Sequence, residues 1–284
     1  MAIPITSQQV TELIEGLERY LTDLQMIPAT GLYRNRVVLA LLSKALTVGR
    51  AVCVLVDAGF TAEAFGLSRT IVEICLTVRF IGNMNTESRA ASYVEYVAKL
   101  NETLMQIHAK YYPTQKIKMP HHDEMMRIAG KFPSKHHWTG IRGQARFMAV
   151  ESDTTEVDEY GKPLNSEYDY DVVYFETSQL VHATIPALEG HLSEHREVFR
   201  VWSRKDSDEK YRGKALFNVL LFLSKAFIYG CRVMHEDQPT VLEDSRKLMR
   251  ACADAADPEG ALREAIDSDE GVTRGDVGDP PSNS

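Results

Sequence analysis

Apolar residues recur at helical spacing along nearly the whole chain, and this pattern constrains the fold more than any other feature. In the N-terminal stripe the apolar positions from Val10 to Leu24 fall at offsets of 0, 3, 4, 7, 11 and 14 residues. Residues at these offsets line one face of a helix, which has to be buried against other helices. Because no segment shows a convincing strand pattern, the sequence predicts an all-α fold: a single-domain bundle of about seven or eight helices with an irregular middle insertion.

Capping residues, glycines and prolines set the expected helix ends. Thr6 or Ser7 can cap the first helix, and Pro28 lies beyond its end. The second helix should stop at Gly59 and the third should begin at the N-cap Thr61, so the two are expected to pack as an antiparallel hairpin. The helices predicted after the first cover residues 33–58, 61–81, 86–112, 123–130, 167–184, 193–202, 207–235 and 239–255.

The predicted helices over residues 33–58 and 207–235 share a local pattern. Residues 42–45 and 223–226 both read Leu-Ser-Lys-Ala, and each is followed four residues later by a glycine, Gly49 or Gly230. Chance and internal duplication both remain open as origins of so short a match. The plainer interpretation is that alanine and glycine let two core helices approach each other closely.

Two stretches, 37–56 and 215–234, are apolar enough to be tested as membrane spans. Each is interrupted by a lysine and an arginine, which are costly in lipid, so both are predicted to be buried helices of a cytoplasmic protein. The N-terminus lacks the basic and apolar regions of a secretory signal. The four cysteines, Cys53, Cys75, Cys231 and Cys252, form no Cys-x-x-Cys pair and are predicted to be reduced thiols, mostly in the core.

The formal charge of −8 is concentrated near the C-terminus. From Asp254 onward nine acidic residues stand against two arginines, and large apolar residues nearly vanish after Ile266. Residues 1–258 are therefore predicted to form the helical domain and residues 259–284 an acidic, disordered tail. Because the remainder of the chain is nearly neutral, its net charge does not exclude an anionic ligand.

Two oppositely charged segments follow each other in the middle of the chain. Residues 116–146 carry seven cations against two acids, with Phe132, Trp138 and Phe147 interleaved. Basic and aromatic residues together can bind a phosphate backbone and stack on bases, which makes RNA a candidate partner. Residues 151–176 then carry nine acids and one lysine. The two segments could instead face each other or both be solvated.

Histidine-rich stretches raise the question of a metal ion. His121-His122-Asp123-Glu124 lies near His136-His137, and His191 and His195 are four residues apart. Neither group matches a specific zinc pattern such as His-Glu-x-x-His. The sequence also lacks a Walker loop, a Gly-x-Gly-x-x-Gly turn, a Gly-x-Ser-x-Gly elbow and the kinase motifs. No metal and no cofactor is therefore predicted.

The sharpest local feature is an Arg-x-x-x-Glu pair in an apolar helix. Arg69 and Glu73 are four residues apart and share one helix face, while Phe65, Leu67 and Ile71 lie around them. An ion pair on the inner face of such a helix needs further partners to offset its desolvation. The pair is therefore either a structural lock or part of a site.

A second polar stripe lies further along the chain. Tyr174, Ser178 and His182 step by four residues and so line one face of a predicted helix. Histidine can act as an acid, a base or a ligand near neutral pH. A buried histidine that only satisfies the core is the alternative, and the functional interpretation gains weight if His182 meets Arg69 and Glu73 across a helix interface.

The chain resembles an uncharacterised family of bacterial all-helical proteins with an L-x-R-[ST]-x-x-E segment and a later S-x-x-[VL]-H segment. In this sequence the two segments are residues 67–73 and 178–182, with Trp138 between them. The resemblance covers residues 33–186, and no established activity comes with the family. It implies that the arginine and glutamate of the first segment and the histidine of the second belong to one constellation.

Size and helicity also invite comparison with the HEPN nucleases. Those enzymes place an arginine and a histidine about four to six residues apart on one helix for metal-independent RNA cleavage. None of the nine histidines here has an arginine at the right preceding distance. A nuclease of that type is disfavoured, unless Arg69 takes the place of the missing arginine from another helix.

The favoured hypothesis is a cytoplasmic binding or regulatory module with a polar site in the bundle. In it Arg69 holds an anionic group, Glu73 orients Arg69, and His182 donates a hydrogen bond, with Ser178 and Tyr174 at the edge of the site. The rival is an RNA-cleaving defence or toxin effector in which the histidine is the acid or base and the arginine stabilises the phosphorane. The third hypothesis is a structural interaction scaffold with no ligand. The expected partner is an anionic small molecule or RNA and not a membrane, and a homo-oligomer is left open.

Overall fold

A computed structural model describes residues 5–24, 33–83, 85–115, 120–133, 137–139, 148, 169–181, 192–195, 198–201 and 208–234. Within these ranges the protein is all-α apart from one two-stranded sheet, which confirms the predicted fold class. The helices are α1 (Ser7–Leu24), α2 (Tyr33–Asp57), α3 (Thr61–Asn83), α4 (Thr86–Tyr111), α5 (His122–Ala129), α6 (Phe175–Val181) and α7 (Asp208–Met234). A π-helical turn, Asp169–Tyr174, runs directly into α6, and the strands are β1 (Leu192–His195) and β2 (Val198–Val201).

The start of α1 and the end of α2 follow the local capping signals, whereas the hydroxyl of Thr61, the predicted N-cap of α3, makes no hydrogen bond within the described residues. At the start of α1, Thr6 Oγ1 accepts from the backbone N–H of Gln9 at 3.3 Å, and Gln9 Oε1 accepts from the Thr6 N–H at 2.9 Å. This reciprocal pair is a capping box. At the end of α2, Gly59 adopts a left-handed φ of 81°, and the N–H of Phe60 donates to the Leu55 carbonyl at 2.8 Å. The resulting tight turn leads directly into α3 and sets up the predicted α2/α3 hairpin.

One predicted helix is wrong. Residues 193–202 were expected to be helical, but β1 and β2 pair as an antiparallel ladder in which Glu194 lies opposite Phe199. Val198, Phe199 and Val201 are β-branched or aromatic, and such residues fit a pleated strand better than a helix. In so short a segment a helical spacing of apolar residues is weak, and the strand preference of these three side chains decides the outcome.

Several predictions concern residues outside the described ranges. They are the helix over 239–255, the tail over 259–284, Cys252, His182, and most of the middle insertion with its basic and acidic segments. These remain predictions.

The core is formed where α2, α3 and α7 pack against one another. The largest fully buried side chains come from these helices and from α1, and they are Phe65, Phe222, Phe227, Leu13, Ile14, Leu17, Leu42, Ile71, Ile81, Leu216, Leu220 and Leu223. Helix α4 lies outside this core and carries α5 on one side, while α6 and the π-helical turn pack on α3. Helix α3 is therefore the element that connects the core to the polar side chains described below.

The repeated Leu-Ser-Lys-Ala segments face each other across the α2/α7 interface. A Cβ atom on Gly49 would lie 3.2 Å from Leu223 Cδ1, and one on Gly230 would lie 2.8 Å from Leu42 Cδ1. The leucine of each segment thus packs on the glycine that follows the other segment. The close approach expected from the sequence is confirmed, and it is reciprocal.

Helices α2 and α7 are long and apolar enough to cross a membrane by length and composition. In α7, 83% of the most apolar window is buried inside the protein, and in α2 the share is 56%. Lys44 and Arg50 of α2 point to solvent. This burial is typical of core helices. Cys53, Cys75 and Cys231 are buried, as the sequence predicted, and form no disulfide with one another.

Candidate functional site

Arg69 and Glu73 form the predicted ion pair on the outer part of α3. The Nε and Nη2 atoms of Arg69 donate to Glu73 Oε1 at 3.2 Å and 3.0 Å. The arginine side chain is 22% exposed and the glutamate side chain 41%. The pair is therefore half-buried at the surface of the bundle, where an ion pair by itself contributes about 0.3–0.5 kcal/mol.

Tyr174 at the end of the π-helical turn completes the arrangement. Its hydroxyl accepts a hydrogen bond from Arg69 Nη2 at 2.6 Å, and the guanidinium carbon lies 4.4 Å from its ring centroid. Tyr170 stacks on the other side of this ring at 4.6 Å. The guanidinium of Arg69 is thus held by a carboxylate, a hydroxyl and an aromatic ring at once, which fixes its orientation.

Glu73 lies near two tyrosine hydroxyls. Burial, together with the Glu73 carboxylate, raises the pKa of Tyr174 to about 12. Burial and the same carboxylate also raise the pKa of Tyr93, on α4. Both tyrosines therefore keep their protons at neutral pH and can donate to an acceptor. Tyr93 was not among the residues singled out by sequence reasoning, because only the packing of α4 on α3 brings it close.

Ser178 is placed one turn beyond Tyr174, and its hydroxyl is used within its own helix. Ser178 Oγ donates to the Tyr174 carbonyl at 2.5 Å, and the buried Thr177 donates to the Val173 carbonyl at 2.7 Å. Such bonds from hydroxyl to backbone are common inside helices. Ser178 therefore keeps only its acceptor lone pairs for any ligand.

Helix α6 is seated directly on α3 next to the ion pair. A Cβ atom on Gly66 would lie 3.3 Å from Val181 Cγ2, so this glycine permits close packing of the two helices. Glu176 and Lys214 form an ion pair that connects α6 to α7. His182, the next residue after α6, lies outside the described residues, so its meeting with Arg69 and Glu73 stays a prediction.

A buried polar contact that the sequence did not indicate lies beneath the ion pair. Ser68 and Asn218 are both almost fully buried, and Asn218 Nδ2 donates to Ser68 Oγ at 3.2 Å. Ser68 Oγ in turn donates to the Phe65 carbonyl at 2.7 Å. Both groups are satisfied, and the contact ties α7 to the turn of α3 that carries Arg69.

Trp138, which lies between the two sequence motifs, anchors a short segment on α3 and α4. It is 7% exposed and makes edge-to-face contacts with Phe80 at 5.5 Å and Tyr93 at 5.4 Å. His137 stacks on its ring at 5.6 Å. Through Tyr93 this aromatic cluster adjoins Glu73, so Trp138 supports one side of the candidate site.

His137 is held as a neutral ring. The backbone N–H of Thr139 donates to His137 Nδ1 at 3.2 Å, so the ring proton lies on Nε2. Burial lowers the pKa of His137 to about 4. In an unfolded chain the pKa of histidine is about 6.5, so the stability that depends on the neutral ring is present above that pH and is lost as pH falls toward the lower pKa.

We therefore expect the melting temperature of the wild type to fall more steeply between pH 6.5 and pH 4 than that of His137→Asn, whose amide oxygen can still accept from Thr139. Melting curves followed by circular dichroism over this range would test the prediction. If the melting temperatures of the two proteins fell in parallel with pH, the pKa of His137 would be the same in the folded and unfolded chain, and the prediction would be wrong.

The histidine clusters do not form a metal site among the residues that the structure covers. In that part of the chain, no three of His, Cys, Asp and Glu come together in a way that could hold a metal ion. The arrangement around Arg69 offers hydrogen-bond donors and a single carboxylate, which suits a polar or anionic organic group better than a cation.

A model of a family of unknown function, DUF5677, matches residues 35–199. The matched region is more than half of the chain and contains Arg69, Glu73, Trp138 and Tyr174. No curated protein and no solved structure gives a significant match. The chain therefore belongs to the DUF5677 family, whose function is unknown.

Proposed function

We propose that the protein is a ligand-binding module whose recognition group is the guanidinium of Arg69. The observation that carries the proposal is the way this group is held. Glu73 and Tyr174 engage Nε and Nη2, whereas Nη1 makes no hydrogen bond within the described part of the chain. The two N–H groups of Nη1 therefore have a fixed orientation and are available to a ligand.

An anionic group is the ligand that these donors suit best. Charge-assisted bonds from a guanidinium to carboxylate or phosphate are shorter and about twice as strong as neutral ones. The hydroxyl of Tyr174 accepts from Nη2 at 2.6 Å and is itself hydrogen-bonded to Glu73, so it holds the guanidinium in place for the ligand. Because the guanidinium is already oriented, little side-chain entropy is lost on binding.

The glutamate limits the charge of that ligand. Glu73 Oε1 lies 3.0 Å from Arg69 Nη2 and offsets part of its positive charge, and the glutamate side chain is 41% exposed. A ligand with one negative charge and a neutral hydrogen-bonding part would satisfy both residues, whereas a polyanion would be repelled by the carboxylate. We therefore favour a small monoanion over an RNA backbone, with His182 as a further donor.

The test is titration calorimetry with inorganic phosphate, in its singly charged form at pH 6, as the probe. Arg69→Lys keeps the charge but loses the planar fork and is expected to bind at least about tenfold more weakly than the wild type. Arg50→Lys is the matched control, because Arg50 also pairs with a glutamate, Glu18, while in the described part of the chain no tyrosine hydrogen-bonds to it or stacks on it. It should bind phosphate as the wild type does.

Equal binding by Arg69→Lys and the wild type would contradict the proposal, as would equal weakening by both variants. Loss of thermal stability in Arg69→Lys, with no phosphate binding by the wild type, would instead support a structural lock. The rival hypothesis of RNA cleavage rests on His182. Incubation of labelled RNA with the wild type and with His182→Ala would favour it if fragments formed with the wild type alone.

A further inference from the structure

Helix α4 packs on the rest of the described protein through its N-terminal half, whereas its C-terminal half carries a line of exposed apolar side chains. The residues of α4 that are buried are Ala90, Tyr96 and Ala98. The side chains in the exposed line are large, and each is between 45% and 66% exposed. This outer stripe consists of Val97, Leu100, Leu104, Ile107 and Tyr111. A single exposed apolar residue needs no explanation, but five in one line do.

The spacing within the outer stripe is that of a coiled coil. Successive members are separated by three, four, three and four residues, which is the a/d repeat of a heptad. Such a repeat keeps one narrow seam facing a partner helix over several turns. The ordinary stripe of a helix that packs on a globular core is wider and less regular. The pattern is therefore suited to a straight helical partner.

We infer that the outer stripe of α4 is the interface between two copies of this chain. Five side chains at about half exposure present on the order of 500 Å² of apolar surface, at the upper end of what a monomer normally exposes. Two copies would bury on the order of 1,000 Å² through these side chains alone, which reaches the lower limit for a specific dimer. The surface is thus large enough for self-association without a further element.

The flanks of the stripe favour a second copy over a highly charged partner. The positions beside the seam are occupied by Asn101, Thr103, His108 and Lys110. Because Asn101 and Thr103 are uncharged and no acidic residue stands at these four positions, two copies meet without strong like-charge repulsion. Lys99 and Glu102, on the same helix, form an ion pair at 2.6 Å, and both side chains are mostly buried. Neither charge therefore needs an oppositely charged group on the partner.

The test is light scattering coupled to size-exclusion chromatography of the full chain at pH 8. The wild type is expected to have twice the 32.0 kDa mass of one chain. Leu104→Glu places a charge at the centre of the seam and should yield a single chain, with the dimer dissociation constant raised more than about tenfold. The matched control is Val54→Glu, because Val54 is 66% exposed on α2 but stands alone. This variant should remain a dimer.

A second variant guards against a folding defect. Leu104→Gln removes the apolar contact without a charge, and circular dichroism of both variants should match the wild type because Leu104 is 61% exposed. A wild type that is a single chain up to about 100 µM would overturn the inference, and so would a Leu104→Glu protein that stays dimeric. A monomeric wild type whose melting temperature drops in Leu104→Gln would show that the stripe is covered by another segment of its own chain.

Discussion

Replacing Trp138 by alanine is expected to lower the free energy of unfolding by about 3–5 kcal/mol. The indole is 7% exposed and packs edge-on against Phe80 of α3 and Tyr93 of α4. Truncation would remove both ring contacts and leave a cavity between two helices that share few other contacts. Urea denaturation followed by circular dichroism would measure the loss.

Phe175→Ala is the matched control for this substitution. Phe175 is also an aromatic residue near the candidate site, but its side chain is 62% exposed. Its removal should change the free energy of unfolding by less than about 0.5 kcal/mol. If Trp138→Ala were no more costly than the control, the segment around Trp138 would not be packed on α3 and α4 as described.

Gly230→Ala is expected to destabilise the protein by about 1–3 kcal/mol, although alanine is the better helix former. The new methyl group would lie 2.8 Å from Leu42 Cδ1 and 3.0 Å from Val38 Cγ1. Leu42 and Val38 are fully buried, and the β-branched valine has little rotamer freedom. Helices α2 and α7 would have to separate to make room.

Gly213→Ala provides the control within the same helix. A Cβ atom at this position meets nothing within 4 Å, so only the helix propensity changes. This variant should gain about 0.5–1 kcal/mol. Opposite signs for the two alanines in chemical denaturation would support the reciprocal packing of the repeated segments. Equal gains at both positions would show that α2 and α7 are not in such close contact.

The helices could be predicted from the sequence because their signals are local. The predicted starts at Tyr33, Thr61 and Thr86 agree with the structure, because apolar periodicity locates them. The groups that cap a helix can come from distant residues. The first two N–H groups of α2, at Tyr33 and Arg34, donate to the carboxylate of Glu87 at the start of α4, at 2.6 Å and 3.2 Å. No local pattern indicates this cap.

The candidate site also combines contacts that local spacing predicts with contacts that depend on distant residues. The pairing of Arg69 with Glu73 follows from their spacing on one helix and was predicted. Tyr174 was placed at the edge of the site, but its 2.6 Å bond to Arg69 depends on how the π-helical turn packs on α3. The position of Tyr93 near Glu73 could not be predicted, since it depends on the packing of α4 on α3. Contacts between distant elements carry no signature in one sequence.

The β1/β2 hairpin shows that apolar periodicity does not predict the secondary structure of short segments. Over four residues a strand and a helix place similar numbers of apolar side chains on one face. Periodicity therefore does not distinguish them, and the preference of Val198 and Phe199 for extended backbone decides the structure. Longer segments such as α7, with 27 residues, leave no such ambiguity.

The most direct test of the central claim, that Arg69 is an oriented and available anion donor, is an NMR titration of the arginine Nε–H signals with inorganic phosphate. The Arg69 signal is identified by its absence in Arg69→Lys, and the Arg50 signal by its absence in Arg50→Lys. We predict that the Arg69 signal shifts saturably while the Arg50 signal, from a more exposed arginine paired with Glu18, barely moves. Parallel, unsaturated shifts of both signals, or no shift of Arg69, would contradict the claim.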